Sequence, residues 1–303
     1  MTTRSHPGAT LGVLALLVTS ILWGTTGTAA TFSTAGPLAI GAASLGIGGL
    51  LQAAVAVPQL RAERRALGRR WRLLAMGGVS VAVYPLAFYS AMHLAGVAVG
   101  CAVALASAPL FAGLLEVAVD RARLTRWWGL AAALGVVGSA LLSLAEVGES
   151  RQAALETALG VGLGMLAGLT YATYSWVART LMRDGVTRSA SMGAVFGVGG
   201  LLLMPVLAIT GAPLLASGQN LAVAAYMALV PMFLGYVLFG FGLTRVQAST
   251  ATTVTLAEPA VAALLAVWIV GERLPLMGWV GLVLIGAVLV ILVVAPTNRS
   301  DFS

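Results

Sequence analysis

The sequence puts one carboxylate where a carboxylate is costly. Glu258, in Leu256-Ala257-Glu258-Pro259, is the only formally charged residue in the interior of any long apolar stretch of the chain; Glu116 and Asp120 sit at the end of one. Centring a carboxylate in hydrocarbon costs on the order of 3 kcal/mol or more, so the group must face a cavity or a bundle interior, or be protonated. Three roles are open to it: pairing with a ligand ammonium, carrying a coupling proton, or hydrogen-bonding backbone loosened by Pro259. Rings and hydroxyls recur at helical spacing elsewhere. Thr19, Trp23 and Thr26 share one helix face, and Tyr171, Tyr174 and Ser175 share another. Tyr84, Phe88, Tyr89 and His93 form a third set, Phe233, Tyr236 and Phe239 a fourth, and Ser249 to Thr255 a hydroxyl-rich fifth. Such a set suits a neutral or zwitterionic molecule with an apolar or aromatic side chain. Its ring packs on Tyr and Trp, its ammonium meets a ring face or Glu258, and its carboxylate meets hydroxyls or freed backbone N–H groups. The candidate binding residues are therefore Trp23, Tyr84, Phe88, Tyr89, Tyr171, Tyr174, Tyr236, Thr255 and Glu258.

Other chemistry is poorly supplied. Cys101 has no second thiol and the only histidines are His6 and His93, so neither a cofactor nor a metal is expected. Ser107 and His93, a nominal nucleophile and base, fall on different stretches and at different depths, which argues against a membrane-embedded hydrolase. No phosphate-binding loop is present. Gly160, Gly164 and Gly168, like Gly193 and Gly197, recur every fourth residue inside apolar stretches with no preceding strand, a pattern for close helix packing rather than nucleotide binding.

The elements that position these groups follow from composition. The chain has 303 residues, 59% hydrophobic and 9% charged, with mean hydropathy +0.98; a soluble domain carries about 25% charged residues. The solvent of this fold is lipid. Spanning helices need ~20 mainly apolar residues, and ten candidates lie at about 11–32, 37–57, 72–92, 97–118, 127–145, 158–179, 190–210, 219–241, 246–270 and 275–295. The first exceeds a signal peptide's apolar region and opens directly into the second. Trp71, Trp127, Trp128 and Trp279 lie at the ends of stretches, as interfacial tryptophans do.

All 17 basic residues are arginines, set between the apolar stretches and not along one face. That distribution argues against nucleic acid as a partner; the expected partners are membrane lipids and a small-molecule substrate, and no oligomer is required. With both termini cytoplasmic, fifteen arginines fall inside and only Arg151 and Arg273 outside.

The chain also repeats itself. Leu11-Gly12-Val13 and Leu159-Gly160-Val161 begin the first and sixth stretches, Trp23-Gly24 aligns with Tyr171-Ala172, and Leu105-Ala106-Ser107-Ala108-Pro109 matches Leu256-Ala257-Glu258-Pro259 with one gap. The offset is about 150 throughout. Five stretches per half is odd, so the second copy must enter the membrane from the opposite side. The expected fold is an all-α polytopic membrane protein of ten transmembrane helices in two inverted five-helix repeats, residues 1–150 and 151–303. Pro85, Pro109, Pro231 and Pro259 are the expected bends, since a mid-helix proline removes a backbone hydrogen bond. Interruptions at matching places in two repeats point to a binding site.

Leu22-Trp23-Gly24, the run Leu256 to Leu265, Gly271-Glu272-Arg273-Leu274 and Gly281 to Gly286 resemble the drug/metabolite transporter superfamily, in particular its ten-helix EamA-type members. The likeness covers essentially the whole chain and is greatest to bacterial YddG-type aromatic amino-acid exporters. The first half departs from the pattern, with Asp120-Arg121-Ala122-Arg123 in place of the Gly-Glu pair and Ser107 where Glu258 stands. The resemblance implies a secondary transporter in the bacterial inner membrane that exports aromatic and other apolar amino acids, with the fifth and tenth helices as outer supports. The absence of arginine and lysine at mid-depth argues against phosphate-bearing substrates. Proton-coupled export of nucleosides or cationic drugs is the alternative, ahead of a channel, for which no charged ring or carbonyl filter is present.

Overall fold

The computed structural model describes residues 7–95, 97–144, 153–265, 268 and 276–294. Among them all regular structure is helical: α1 Pro7–Ala30, α2 Pro37–Val55, α3 Val57–Ala62, α4 Arg64–Arg69, α5 Trp71–Ala95, α6 Val97–Ala118, α7 Arg126–Leu144 and α8 Ala153–Arg183. Then come α9 Arg188–Thr210, α10 Gly218–Met227, α11 Gly235–Leu243, α12 Ala248–Val254, α13 Ala257–Leu265 and α14 Leu276–Val294. A 3₁₀ turn, Ala212–Leu215, precedes α10, and a π-helical segment, Ala228–Leu234, joins α10 to α11 in one rod. Each stretch expected to span contains helix within the described residues, and six rods among them are long and apolar enough to cross a membrane. Arg4, Arg151, Arg273, Arg299, His6 and the Gly271–Leu274 motif lie outside the described residues.

Burial follows the logic of a lipid solvent. On α1, Leu11, Leu14, Val18 and Ile21 face outward, while Thr19, Ser20, Trp23 and Thr26 are buried. The buried hydroxyls return to their own helices: Thr19 donates to Ala15 O at 2.9 Å, Ser20 to Leu16 O at 2.8 Å and Ser175 to Tyr171 O at 2.7 Å. Back-bonding of this kind satisfies a hydroxyl without water, which hydrocarbon cannot supply. Glycine sets the helix spacing. A Cβ on Gly160 would stand 2.5 Å from the Ala95 Cβ, one on Gly164 3.1 Å from the Val103 side chain, and one on Gly168 would overlap Ser107. These contacts seat α8 against α5 and α6.

The packing pairs come in related sets under the offset of about 150 residues. α2 packs on α9 and α7 on α14. The α5–α8 pair is matched by α11–α1, and α6–α8 by α13–α1.

Two rods depart from a regular α-helix. The stretch expected as one helix over 246–270 breaks at Thr255 and Leu256. Pro259 has no N–H to offer Thr255 O, so Glu258 N–H bonds it instead at 2.9 Å, in a tighter turn. Pro231 lies in the π-helical segment, where Gly235 N–H reaches back to Val230 O and passes over Pro231 O. α5 and α6, by contrast, stay α-helical through Pro85 and Pro109. The arginine-rich segment between the second and third stretches folds into α3 and α4.

Candidate functional site

The break in one rod and the π segment in the other deliver polar groups to the same level of the bundle. Glu258, in the first turn of α13, is 6% exposed, and its Oε2 is buried with no hydrogen-bond partner. An unpaired buried polar atom costs about 1–3 kcal/mol, more when charged, so such an atom in a folded protein asks for an explanation. Glu258 lines a cavity of about 20 Å³ together with Trp23, Thr26, Ser44, Tyr84, Phe88, Tyr89 and Tyr236; Leu45, Pro85 and Met232 complete the wall. That volume holds a water molecule. No basic side chain lines it.

Carbonyls in and just after the π segment are taken by neighbours. Trp23 Nε1 donates to Pro231 O at 2.9 Å, Gln52 Nε2 to Phe233 O at 3.1 Å and Thr19 Oγ1 to Gly235 O at 3.2 Å. Gly235 makes room for the indole: a Cβ there would stand 2.7 Å from Trp23 Nε1. π segments recur at functional sites because they present backbone groups that a regular helix hides.

Beneath the cavity, towards the end that bears α3 and α4, the rings close into a plug. Trp23 and Tyr236 centroids are 4.7 Å apart, Tyr84 and Tyr171 5.6 Å, and Phe196 and Tyr236 4.4 Å. Two hydrogen bonds cross-link the plug, Tyr174 Oη to Tyr236 Oη and Tyr171 Oη to Thr255 Oγ1, each 2.7 Å. Edge and tilted ring contacts of this kind add stabilisation beyond burial.

Of the candidate binding residues, Trp23, Tyr84, Phe88, Tyr89, Tyr236 and Glu258 thus surround the cavity. Tyr171, Tyr174 and Thr255 form its floor and do not line it. Of the expected bends, Pro85 lines the wall and Pro231 supplies the carbonyl that Trp23 holds, while Pro259 breaks the rod that carries Glu258 and Pro109 stays within α6.

Sequence reasoning missed Ser44, Leu45, Met232 and Phe196. Ser44 alone carried a signal, as a lone hydroxyl in a span otherwise of glycine, alanine and aliphatic residues up to Gln52. It also missed that Glu116, expected merely at a helix end, is 3% exposed. The reason is tertiary, because the N-terminus of α12 covers it. Among the described residues no cluster of histidine, cysteine and acidic side chains is arranged to hold a metal.

Residues 10–144 and 158–294 each match the EamA-like transporter family. The chain is 34% identical over 288 residues to the Uncharacterized transporter YwfM of Bacillus subtilis (strain 168), which covers 94% of this chain and 95% of that protein. A solved structure described as "Crystal structure of protein" superposes with a TM-score of 0.76 at 20% identity, covering 96% of this chain and 99% of that one. At that identity the likeness is one of fold.

Proposed function

Because the chain belongs to the EamA-like transporter family and is a multi-pass membrane protein, we propose that it exports small neutral or zwitterionic metabolites, aromatic and other apolar amino acids foremost. The observation that carries this reading is the unpartnered Glu258 Oε2 on a cavity walled by four other aromatic side chains and Trp23, with no cation in the wall. An ammonium meets there both a carboxyl oxygen in need of a donor and ring faces that attract cations. A phosphate would meet neither.

Transport of such a molecule needs the cavity to enlarge, since small-molecule pockets run to about 300–1,000 Å³. The broken α12–α13 rod and the π segment between α10 and α11 are the natural places for the walls to bend, with α5 and α6 moving alongside them. The matched packing pairs support two inverted five-helix repeats, 1–150 and 151–303. The arginine distribution supports placing both termini in the cytoplasm, with the protein in the bacterial inner membrane. A zwitterion held at higher concentration inside needs no coupling ion, so downhill export is the simplest energetic scheme.

Counterflow in proteoliposomes, across a panel of amino acids, nucleosides and cationic drugs, tests the proposal. Saturable exchange of aromatic and apolar amino acids is expected, and Glu258→Gln is expected to reduce it at least tenfold without loss of folded protein. Exchange of nucleosides alone would overturn the substrate assignment. Unchanged exchange by Glu258→Gln would remove the carboxylate from both ammonium pairing and proton coupling. Under an imposed pH gradient, accumulation above equilibrium would replace the uniport scheme with proton coupling.

A further inference from the structure

The end of the bundle that carries α3 and α4 is closed by polar contacts between different helices. Glu116, in the last turn of α6, accepts hydrogen bonds from the N–H of Ser249, at 3.2 Å, and from its Oγ, at the start of α12. Arg179, near the end of α8, donates to the carbonyls of Leu243, at 2.7 Å, and of Val246. Asp120 accepts from Trp176 Nε1 and from Arg183, both at 2.8 Å.

The opposite end is held by different contacts: Asn220 Oδ1, at the start of α10, accepts from Ser33 Oγ and from the N–H of Thr34, and Gln219 Nε2 donates to Phe32 O. Under the offset of 150, Ser249 and Glu116 correspond to Val99 and Ala266. Under the local offset of 148, Trp176, Arg179 and Arg183 correspond to Thr28, Thr31 and Ala35. The Glu116–Ser249 pair of the arginine-rich end thus has no counterpart in the sequence of the other, although the two ends are related by an internal repeat.

We propose that Glu116 is a positioning residue of the transport cycle, latching α12 to α6 through Ser249 so that the arginine-rich end stays closed until that contact is released. The proposal rests on the reading of the chain as a transporter, whose cavity must open to one end of the bundle at a time. A hydrogen bond to a carboxyl group that is given up on opening shifts the balance between two states by roughly ten- to hundredfold. Glu116 does not line the cavity, so its effect is on access and not on recognition.

Thiol labelling reads this without a substrate. In a Cys101→Ala background, a membrane-impermeant maleimide is applied to protein in lipid nanodiscs carrying one reporter cysteine. Ala251→Cys reports the buried face of α12 behind the latch, and Thr26→Cys reports the cavity. Glu116→Gln is expected to raise the labelling rate at position 251 at least tenfold and to lower it at position 26. Ser249→Ala should do the same, and the double variant should add nothing further. Unchanged rates at both reporters would overturn the latch. So would faster labelling at both with a lowered melting temperature, which signifies general loosening, or additive effects of the two substitutions. Should Glu116→Gln fail to fold, Ser249→Ala decides by the same two reporters. Absence of counterflow by the unsubstituted protein would instead overturn the transport reading and leave the labelling result to stand by itself.

Discussion

At the scale of the residue, Trp23 shows how a side chain acquires two duties at once. Its ring walls the cavity and meets Tyr236, while its N–H is spent on Pro231 O, a carbonyl that the π segment leaves without a backbone donor. Replacing the indole with a ring that has no donor separates the two. Trp23→Phe keeps an aromatic wall and strands a buried carbonyl, which should cost about 1–3 kcal/mol. Thermal unfolding in detergent checks this; a melting temperature equal to that of the parent would mean that the indole N–H contributes nothing to stability. Glu258 is the opposite case. Its orphaned oxygen is a local deficit retained where the rest of the bundle satisfies its hydroxyls, as at Thr19, Ser20 and Ser175. A deficit placed on a cavity wall is available to a ligand; the same deficit in a packed interface would be only a cost.

At the scale of the element, α8 is held by backbone proximity. Gly164 faces α6, whereas Gly162, half a turn away on the same helix, has nothing within 4 Å of where its Cβ would stand. Gly164→Leu should therefore overpack the α6–α8 contact and destabilise the protein by about 1–3 kcal/mol, while Gly162→Leu, facing lipid, should leave the melting temperature unchanged or raise it slightly. Equal loss in both variants would argue for helix propensity over packing, and would sink the close-approach account. Helicity in these elements was legible in the apolar stretches, because a span in lipid has no other way to satisfy its backbone. The differences between prolines were not legible. Pro85 and Pro109 leave α5 and α6 intact, whereas Pro231 and Pro259 coincide with a π segment and a break. At Pro231 the outcome depends on donors from α1 and α2 that reach carbonyls in and just after the π segment, and these are neighbours only in three dimensions.

At the scale of the whole molecule, the orientation of the two halves is open to a direct test. With Cys101 replaced by alanine, Gly68→Cys on α4 and Phe32→Cys beyond α1 place single thiols at opposite ends of the bundle, both exposed. In intact cells an impermeant maleimide should label position 32 and not position 68; the reverse pattern would invert the topology argued from the arginines. The lipid environment, the helical class, the repeat and most of the residues that wall the cavity follow from the sequence by itself. Each is a matter of which residue types recur at which spacing, and a membrane permits few answers to that question. The tertiary structure alone decided that Tyr171, Tyr174 and Thr255 form a floor and not a wall, that Ser44 and Met232 reach the cavity, and that Glu116 is covered by the start of α12. These depend on how far one helix is rotated and shifted against another. Glycine contacts and the carbonyls of an irregular rod set those offsets; the four-residue glycine period marks which face approaches a neighbour, but no periodicity names the residues that it meets.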